Sequence, residues 1–356
     1  FPVRFVGRDN RTVTPPSPTA GALPELVEAY RGRRPERLPI WFMRQAGRSL
    51  PEYRRARAGL GMLEACTTPD LVAEITAQPV RRYGVDAGIF YSDIVVPLYL
   101  AGVDVTIETG VGPVFADPVC DDAALARLTA HEPADLDVII EAARLASAAI
   151  PVPLIGFAGA PFTLAAYAVE GRSSRDHLAA RTLMHARPAS WDRLMTWMAD
   201  QSGAFLAAQV AGGAQAVQLF DSWAGSLSAA DYRRFVLPYS ARALAWVRGQ
   251  VPVVHFGTGT GEFLTALAEA GADVVGVDHR IPLDEASRRL GGATPVQGNI
   301  DPALLGGPWE VLETHVRDVV ARGAAAPTHV VNLGHGVPPT TNPDVLTRVV
   351  ELVHTL

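Results

Sequence analysis

The chain has 356 residues, a formal net charge of −6, 48% hydrophobic residues and 19% charged ones; glycine and proline are spread through apolar segments, which excludes a disordered or collagen-like polymer. At about 150 residues per domain this length suits two domains, or one α/β barrel. All 31 basic residues are arginine, and without a lysine there is no Schiff-base amine, no pyridoxal phosphate aldimine and no Walker A loop. Residues 1–20 are polar and proline-rich with no period, and are expected to form a flexible N-terminal arm ahead of one catalytic domain over 21–356. Apolar runs predict strands at 39–42, 87–91, 152–157, 216–220, 251–256, 273–277, 294–298 and 329–333. Helical patterns fall between them, over 69–83, 122–148, 190–211, 229–247, 262–270 and 343–353. Continuous apolar strands alternating with helices predict a parallel sheet covered on both faces, and eight units predict an α/β fold of the (β/α)8 TIM-barrel type. Residues 103–119 alternate and carry Gly110 and Gly112, which predicts a small hairpin inserted after the second strand. No apolar run approaches the ~20 residues of a membrane span, and no charged-then-apolar signal segment opens the sequence, so no membrane partner is expected. Two cysteines, Cys66 and Cys120, lack paired metal-ligand spacing; they point to a reducing, cytoplasmic location and to no metal site.

In a barrel the chemistry collects on the loops after the strand C-termini. Those positions hold Arg44, Asp93, Pro161 with Tyr167, Ser222, Gly257, Asp278, Asn299 and His335. Singly, Ser222, Asn299 and Asp278 read as turn or cap residues; together the set would surround one cavity. Nine of the 31 arginines crowd into residues 31–57. Arg31 to Arg37 read as a solvated face. Arg44 and Arg48 follow an apolar strand and, if helical, share one face. Guanidinium forks grip carboxylates or phosphates through paired planar hydrogen bonds, so the cluster in a net-acidic chain points to a polyanionic small ligand. No extended basic surface accompanies it, and nucleic acid is not expected as a partner. Asp93 is an acceptor-only carboxylate that wants N–H donors or a cation, which a cluster arginine could also supply as an ion pair. His335 has glycine on both sides, which lets the backbone approach a ligand closely. Residues 251–261 end in Gly257, Gly259 and Gly261, and with Asp278 they imitate a nucleotide-binding unit, but Glu262 stands where the dinucleotide fingerprint needs glycine.

Several stretches in order carry a resemblance: Met43-Arg44-Gln45-Ala46-Gly47-Arg48-Ser49-Leu50-Pro51-Glu52-Tyr53-Arg54, Tyr91-Ser92-Asp93-Ile94, Gly156-Phe157-Ala158-Gly159-Ala160-Pro161-Phe162-Thr163-Leu164, Tyr167 with Val169-Glu170-Gly171, Leu219-Phe220-Asp221-Ser222, Gln297-Gly298-Asn299-Ile300-Asp301-Pro302 and Asn332-Leu333-Gly334-His335-Gly336. From about Leu23 to the C-terminus the chain resembles the uroporphyrinogen decarboxylase family. The resemblance implies a single-domain distorted (β/α)8 barrel, a homodimer, and a cleft at the strand C-termini. It implies substrate contacts at Arg44, Gln45, Ala46, Gly47 and Arg48, at Asp93, Tyr167, Ser222 and His335, with Arg57 near the entrance. Phe157 and Phe220 would wall the macrocycle. Trp223 departs from the histidine that eukaryotic members tend to carry, and Ser49 from a common aromatic.

The substrate so implied is a tetrapyrrole with acetate and propionate arms, whose acetates become methyl groups. Loss of CO2 from an acetate leaves a carbanion that needs an electron sink. A pyrrole protonated on ring carbon is such a sink, so no cofactor is expected. The protein then needs arginines for carboxylates (Arg44, Arg48), an anion facing the pyrrole N–H groups (Asp93) and a proton donor, for which Arg44, His335 and Tyr167 are all candidates. A cobalamin- or thiol-dependent methyltransferase of the same superfamily would need His and Cys zinc ligands on the barrel face, and no His-x-Cys pair exists. A non-catalytic tetrapyrrole carrier would release no CO2.

Overall fold

A computed structural model of the chain describes residues 23–356; the expected arm at 1–20 lies outside the described residues. Seven parallel strands form a curled sheet in the order β1-β4-β5-β6-β7-β8-β9. They are β1 (Gly88–Ile89), β4 (Leu154–Gly159), β5 (Ala216–Asp221), β6 (Val253–Gly257), β7 (Val274–Gly276), β8 (Val296–Ile300) and β9 (His329–Leu333). An antiparallel pair, β2 (Val105–Glu108) with β3 (Gly112–Phe115), stands apart from this sheet. Every residue of β4, β6, β8 and β9 is buried, because helices cover one face of the sheet and side chains from facing strands fill the other.

The first expected strand, at 39–42, is reduced to one bridge, Ile40 with Val331 of β9. Its backbone nevertheless joins the two outermost strands. Val331 N donates to Pro39 O (2.9 Å) and Trp41 N to Val331 O (3.3 Å), while Asp86 N, two residues before β1, donates to Ile40 O (2.9 Å). Parallel neighbours in register, such as Phe220 with Phe256 and Asn299 with Asn332, put every strand C-terminus at the same end.

The helices over Pro69–Tyr83 and Pro343–Val353 have the expected bounds. Two expected helices are broken. Residues 122–148 divide into Asp122–Leu128 and Asp137–Ala149, the gap holding Pro133. Residues 229–247 divide at Val236 into Ala229–Phe235 and Leu237–Ala245, because Pro238 has no N–H for the preceding turn and its ring opposes that turn's carbonyl. No helix among the described residues is long and apolar enough to cross a membrane.

Polar groups run through the middle of the curled sheet. Tyr30 Oη donates to Gln297 Oε1 (2.5 Å), Gln297 Nε2 to Gln218 Oε1 (2.9 Å), and Gln218 Nε2 to Met43 Sδ (3.4 Å). Buried amides must be satisfied by partners, so this chain ties the middles of β5 and β8 to the residue immediately before Arg44.

Candidate active site

The loop carrying Arg44 is shaped from below. Met43 N donates to Asn332 Oδ1 (3.0 Å) and Val337 N to Met43 O (2.8 Å). Gln45 is fully buried; its Oε1 accepts from Phe42 N (3.0 Å) and its Nε2 donates to Ala87 O (2.9 Å). The Gln45 side chain is thus committed to the scaffold, and only backbone of Gln45, Ala46 and Gly47 is left to face a ligand. These ties force Arg44 to φ +60°, a left-handed conformation that a side chain bearing Cβ adopts at a cost of about 1–2 kcal/mol. Residues 43–44 and 48–49 form turns and the next helix begins at Pro51, so Arg44 and Arg48 lie in successive turns and the condition for a shared helical face is not met. Arg54 Nη1 holds the Arg48 carbonyl (2.7 Å). Both Arg44 and Arg48 are exposed, and among the described residues neither guanidinium has an acid or carbonyl partner.

The glycines around His335 serve a different purpose from the close ligand approach expected of them. A Cβ on Gly334 would lie 2.2 Å from His279 N, and one on Gly336 would lie 2.5 Å from Arg44 Cδ. They admit protein neighbours, and Gly336 is the surface over which the Arg44 side chain crosses.

Asp93 follows β1, where Phe90 N bonds Ile155 O (2.9 Å) and Tyr91 N bonds Thr76 Oγ1 (3.0 Å). Its Oδ1 accepts from Val95 N (3.2 Å). Among the described residues no arginine pairs with it, which overturns the ion-pair alternative. Burial raises its pKa above the ordinary carboxylate range, opposed by the Val95 amide, the Arg44 charge and the Ile94 amide. The Tyr167 hydroxyl is pushed up to about 12, first by burial and then by the Asp93 charge, with Arg44 opposing. His335 is lowered by enclosure and then by Arg44. The Arg44 charge acts on all three of Asp93, Tyr167 and His335.

Phe157 and Phe220 meet edge to face at 5.5 Å, and Phe220 meets Phe256 at 6.0 Å, an aromatic cluster spanning β4, β5 and β6. Ser222 is half-buried; its carbonyl accepts from the Thr258 hydroxyl, leaving its own hydroxyl without a protein partner. Tyr167 packs on Trp223 at 3.8 Å between ring centres. Arg57 donates to Tyr53 Oη (3.0 Å), Met62 Sδ (3.1 Å) and Leu60 O (3.4 Å), so much of its fork is already engaged. The glycine loop does not await a nucleotide. Asp278, the expected ribose ligand of that reading, accepts from Gly259 N (2.6 Å) and Arg280 N (3.1 Å) and pairs with the Arg280 guanidinium.

Sequence reasoning missed Asp221, the last residue of β5, fully buried directly before Ser222. Its Oδ1 accepts from Thr163 Oγ1 (2.9 Å), and Thr163 Oγ1 accepts from Trp223 N (3.4 Å), so this carboxyl underlies the Ser222 turn. Burial raises its pKa to about 7, with the Thr163 hydroxyl opposing. The unfolded value is about 3.9. A folded pKa above the unfolded one gives stability that is full below about pH 4 and lost as pH rises to about 7. Melting curves from pH 5 to 8 are expected to show wild type losing stability relative to Asp221→Asn across that window; parallel curves would refute the shift.

The fold is an α/β barrel-like sheet, and past the C-terminal ends of its strands lie an exposed arginine pair and a carboxylate that, among the described residues, no arginine pairs with. Residues 23–356 match the family model described as "Uroporphyrinogen decarboxylase (URO-D)". The uroporphyrinogen decarboxylase of Arthrobacter sp. (strain FB24) is 63% identical, covering 93% of this chain and 96% of that one. That of Leifsonia xyli subsp. xyli (strain CTCB07) is 61% identical over 92% and 93%. The chain belongs to the uroporphyrinogen decarboxylase family and is a carboxy-lyase. A methyltransferase from Methanosarcina mazei is similar in fold, with a TM-score of 0.76 at 18% identity over 92% of this chain and 97% of that one.

Proposed function

We propose that the chain removes the carboxylates of the four acetate arms of uroporphyrinogen III, giving coproporphyrinogen III for porphyrin and haem synthesis, without a cofactor. Names of relatives at 54–63% identity support the activity; the observation that carries it to a mechanism is the pairing of two unpartnered arginine forks with a carboxylate that no arginine neutralises. Arg44 and Arg48 would hold acetate and propionate carboxylates bidentately, as only guanidinium can. Asp93 would accept hydrogen bonds from the pyrrole N–H groups. A proton placed on a ring carbon turns that pyrrole into an iminium-like cation. The C–CO2 bond then breaks and its electrons neutralise the ring; a proton added to the exocyclic carbon, with loss of the ring-carbon proton, leaves a methyl group and free CO2. Asp93 stabilises the cation that develops on the ring. The ring proton would come from one of three candidates, Arg44, His335 or Tyr167.

The proposal extends to the architecture: a single-domain distorted (β/α)8 barrel in which residues 39–42 form the eighth stave and β2–β3 an inserted hairpin, working as a cytoplasmic homodimer. The alternative of zinc-dependent methyl transfer finds little support in the cysteines. Cys66 is fully buried in the helix Met62–Cys66, burial pushing its thiol pKa up, and Cys120 is exposed next to the helix at Asp122–Leu128.

Cofactor independence has a direct test. After exhaustive dialysis against a chelator, CO2 release from uroporphyrinogen is expected to continue at the undialysed rate. A rate that vanishes and returns only with added metal or pyridoxal phosphate defeats the reading, and no CO2 at all identifies a carrier.

A further inference from the structure

Beside the cleft lies a second cavity of about 510 Å³ between residues 174–181 and the loops after β5, β6 and β7. Ser222, a residue of the proposed substrate cleft, is part of its lining. Its charged lining is Arg175, Arg181 and Arg280 against Asp176. Most arginines on the outer helices are paired, as Arg144 is with Glu141, Arg233 with Glu269 and Arg242 with Asp200. Arg280 shares its charge with Asp278. Among the described residues, the side chains of Arg175 and Arg181 have neither an acid nor a carbonyl partner. They share this state with Arg44 and Arg48.

A second observation points to an absent anion. His177 lines the same cavity and is 4% exposed, yet both its ring nitrogens lack a partner. Burial holds its pKa below the usual histidine value, with Glu170, the Arg175 backbone and Asp176 opposing, so the ring keeps a single N–H near neutral pH, and among the described residues neither ring nitrogen makes a hydrogen bond. Buried donors of this kind are rare without a ligand or water to satisfy them. The ring is fixed in place, edge-on to Trp223 at 4.3 Å and packed near Phe162 at 6.5 Å. The helix N-terminus at Leu178 is already occupied, its Ala179 and Ala180 amides donating to Glu170 Oε1 (2.9 and 3.2 Å). An anion here would therefore be held by side chains and not by the helix end.

We propose that this cavity is a carboxylate subsite that takes a propionate arm of the tetrapyrrole, gripped by Arg175 and Arg181 with Arg280 at its edge and a His177 ring N–H as a further donor. The inference rests on the decarboxylase reading for the identity of the ligand. Propionates do not react, so a dedicated grip on them anchors the macrocycle while Arg44, Arg48 and Asp93 attend to the acetate and the ring. Such an anchor binds ground state and transition state alike and is felt in KM more than in kcat.

The test is equilibrium binding of coproporphyrinogen III, which has propionates and no acetates, under reducing conditions, alongside steady-state decarboxylation of uroporphyrinogen III. Loss of charge-assisted hydrogen bonds is expected to weaken coproporphyrinogen binding about tenfold to hundredfold in the double variant Arg175→Ala, Arg181→Ala. KM should rise by a similar factor and account for most of the loss in kcat/KM. Arg193→Ala, which removes one positive charge from the exposed face of the helix Pro188–Ala211 against the two lost in the double variant, controls for net charge. A double variant with wild-type melting temperature and unchanged Kd overturns the subsite, as does an equal weakening in Arg193→Ala. The two readings fail separately. If wild type releases no CO2 but binds the tetrapyrrole through Arg175 and Arg181, the decarboxylase reading falls and the subsite stands. If wild type decarboxylates and the double variant binds as well as wild type, only the subsite falls.

Discussion

Asp93→Asn is expected to lower kcat by a factor on the order of 10²–10³ while leaving the protein folded. Asn keeps the size and can still accept the Val95 N–H through its own oxygen. It removes the charge and turns the other oxygen into an N–H donor aimed at the pyrrole N–H groups. Stabilisation directed at charge that appears only on ring protonation lowers the barrier more than it tightens substrate binding, so KM should move little. The folded state gains nothing net from the charge of this carboxylate. Burial raises its pKa and no arginine pairs with it, so the melting temperature of the Asn variant should equal or exceed that of wild type. Asp93→Glu keeps the charge at a slightly wrong distance and should be milder. Measuring kcat, KM and melting temperature for the three forms decides the matter: an Asn variant with wild-type kcat removes Asp93 from the mechanism, and one that mainly loses stability makes it a structural residue.

Asp86→Ala is expected to lower folding stability by about 2–4 kcal/mol, with chemical denaturation as the readout. The Asp86 side chain is 9% exposed and serves three partners: Arg37 Nη2 (2.6 Å) on Oδ1, and Ile40 N (2.8 Å) with His354 Nε2 (2.8 Å) on Oδ2. Removing one member of a buried polar cluster leaves the others unsatisfied, typically at about 3–5 kcal/mol. Arg37 is 48% exposed and water replaces part of its share, which lowers the figure. The same carboxylate ties the segment at residue 40, four residues before Arg44, to the C-terminal end of the chain. Activity per folded molecule should therefore fall as well, through a looser Arg44 loop. A loss below about 1 kcal/mol would mean that the backbone bonds of Ile40 hold the segment by themselves.

Much of the fold was legible because its signals are local. Apolar runs long enough to be buried on both faces marked every parallel strand from β1 to β9, and the helix over Pro69–Tyr83 was legible in full. The candidate site was legible for a related reason. In a sheet whose strands all point the same way, the residues just past each strand converge, so position gathered Arg44, Asp93, Tyr167, Ser222 and His335 together with Gly257, Asp278 and Asn299, and the resemblance selected among them. The absence of lysine is likewise a property of composition that no folding could alter.

What the tertiary structure decided depends on contacts between residues far apart in the chain. Residues 39–42 look like an ordinary strand, but whether they pair over several residues or through one bridge depends on the β9 edge and on Asp86, which no local pattern reveals. The spacing of Arg44 and Arg48 fits a helical face. The turn that replaces it is imposed by Gln45 reaching Ala87 and by Asn332 reaching Met43, from the opposite end of the chain. The glycines beside His335 could have served a ligand, and only the packed structure puts His279 and Arg44 against them. Asp221 stood in a stretch that carries the resemblance but was given no role, since an aspartate at a strand end is commonplace; its raised pKa comes from complete burial, a consequence of packing. Local sequence determines which segments are strands and helices because periodicity and propensity act over a few residues. Which polar atoms are left without a partner is a question about the whole fold, because packing brings together residues far apart in the chain.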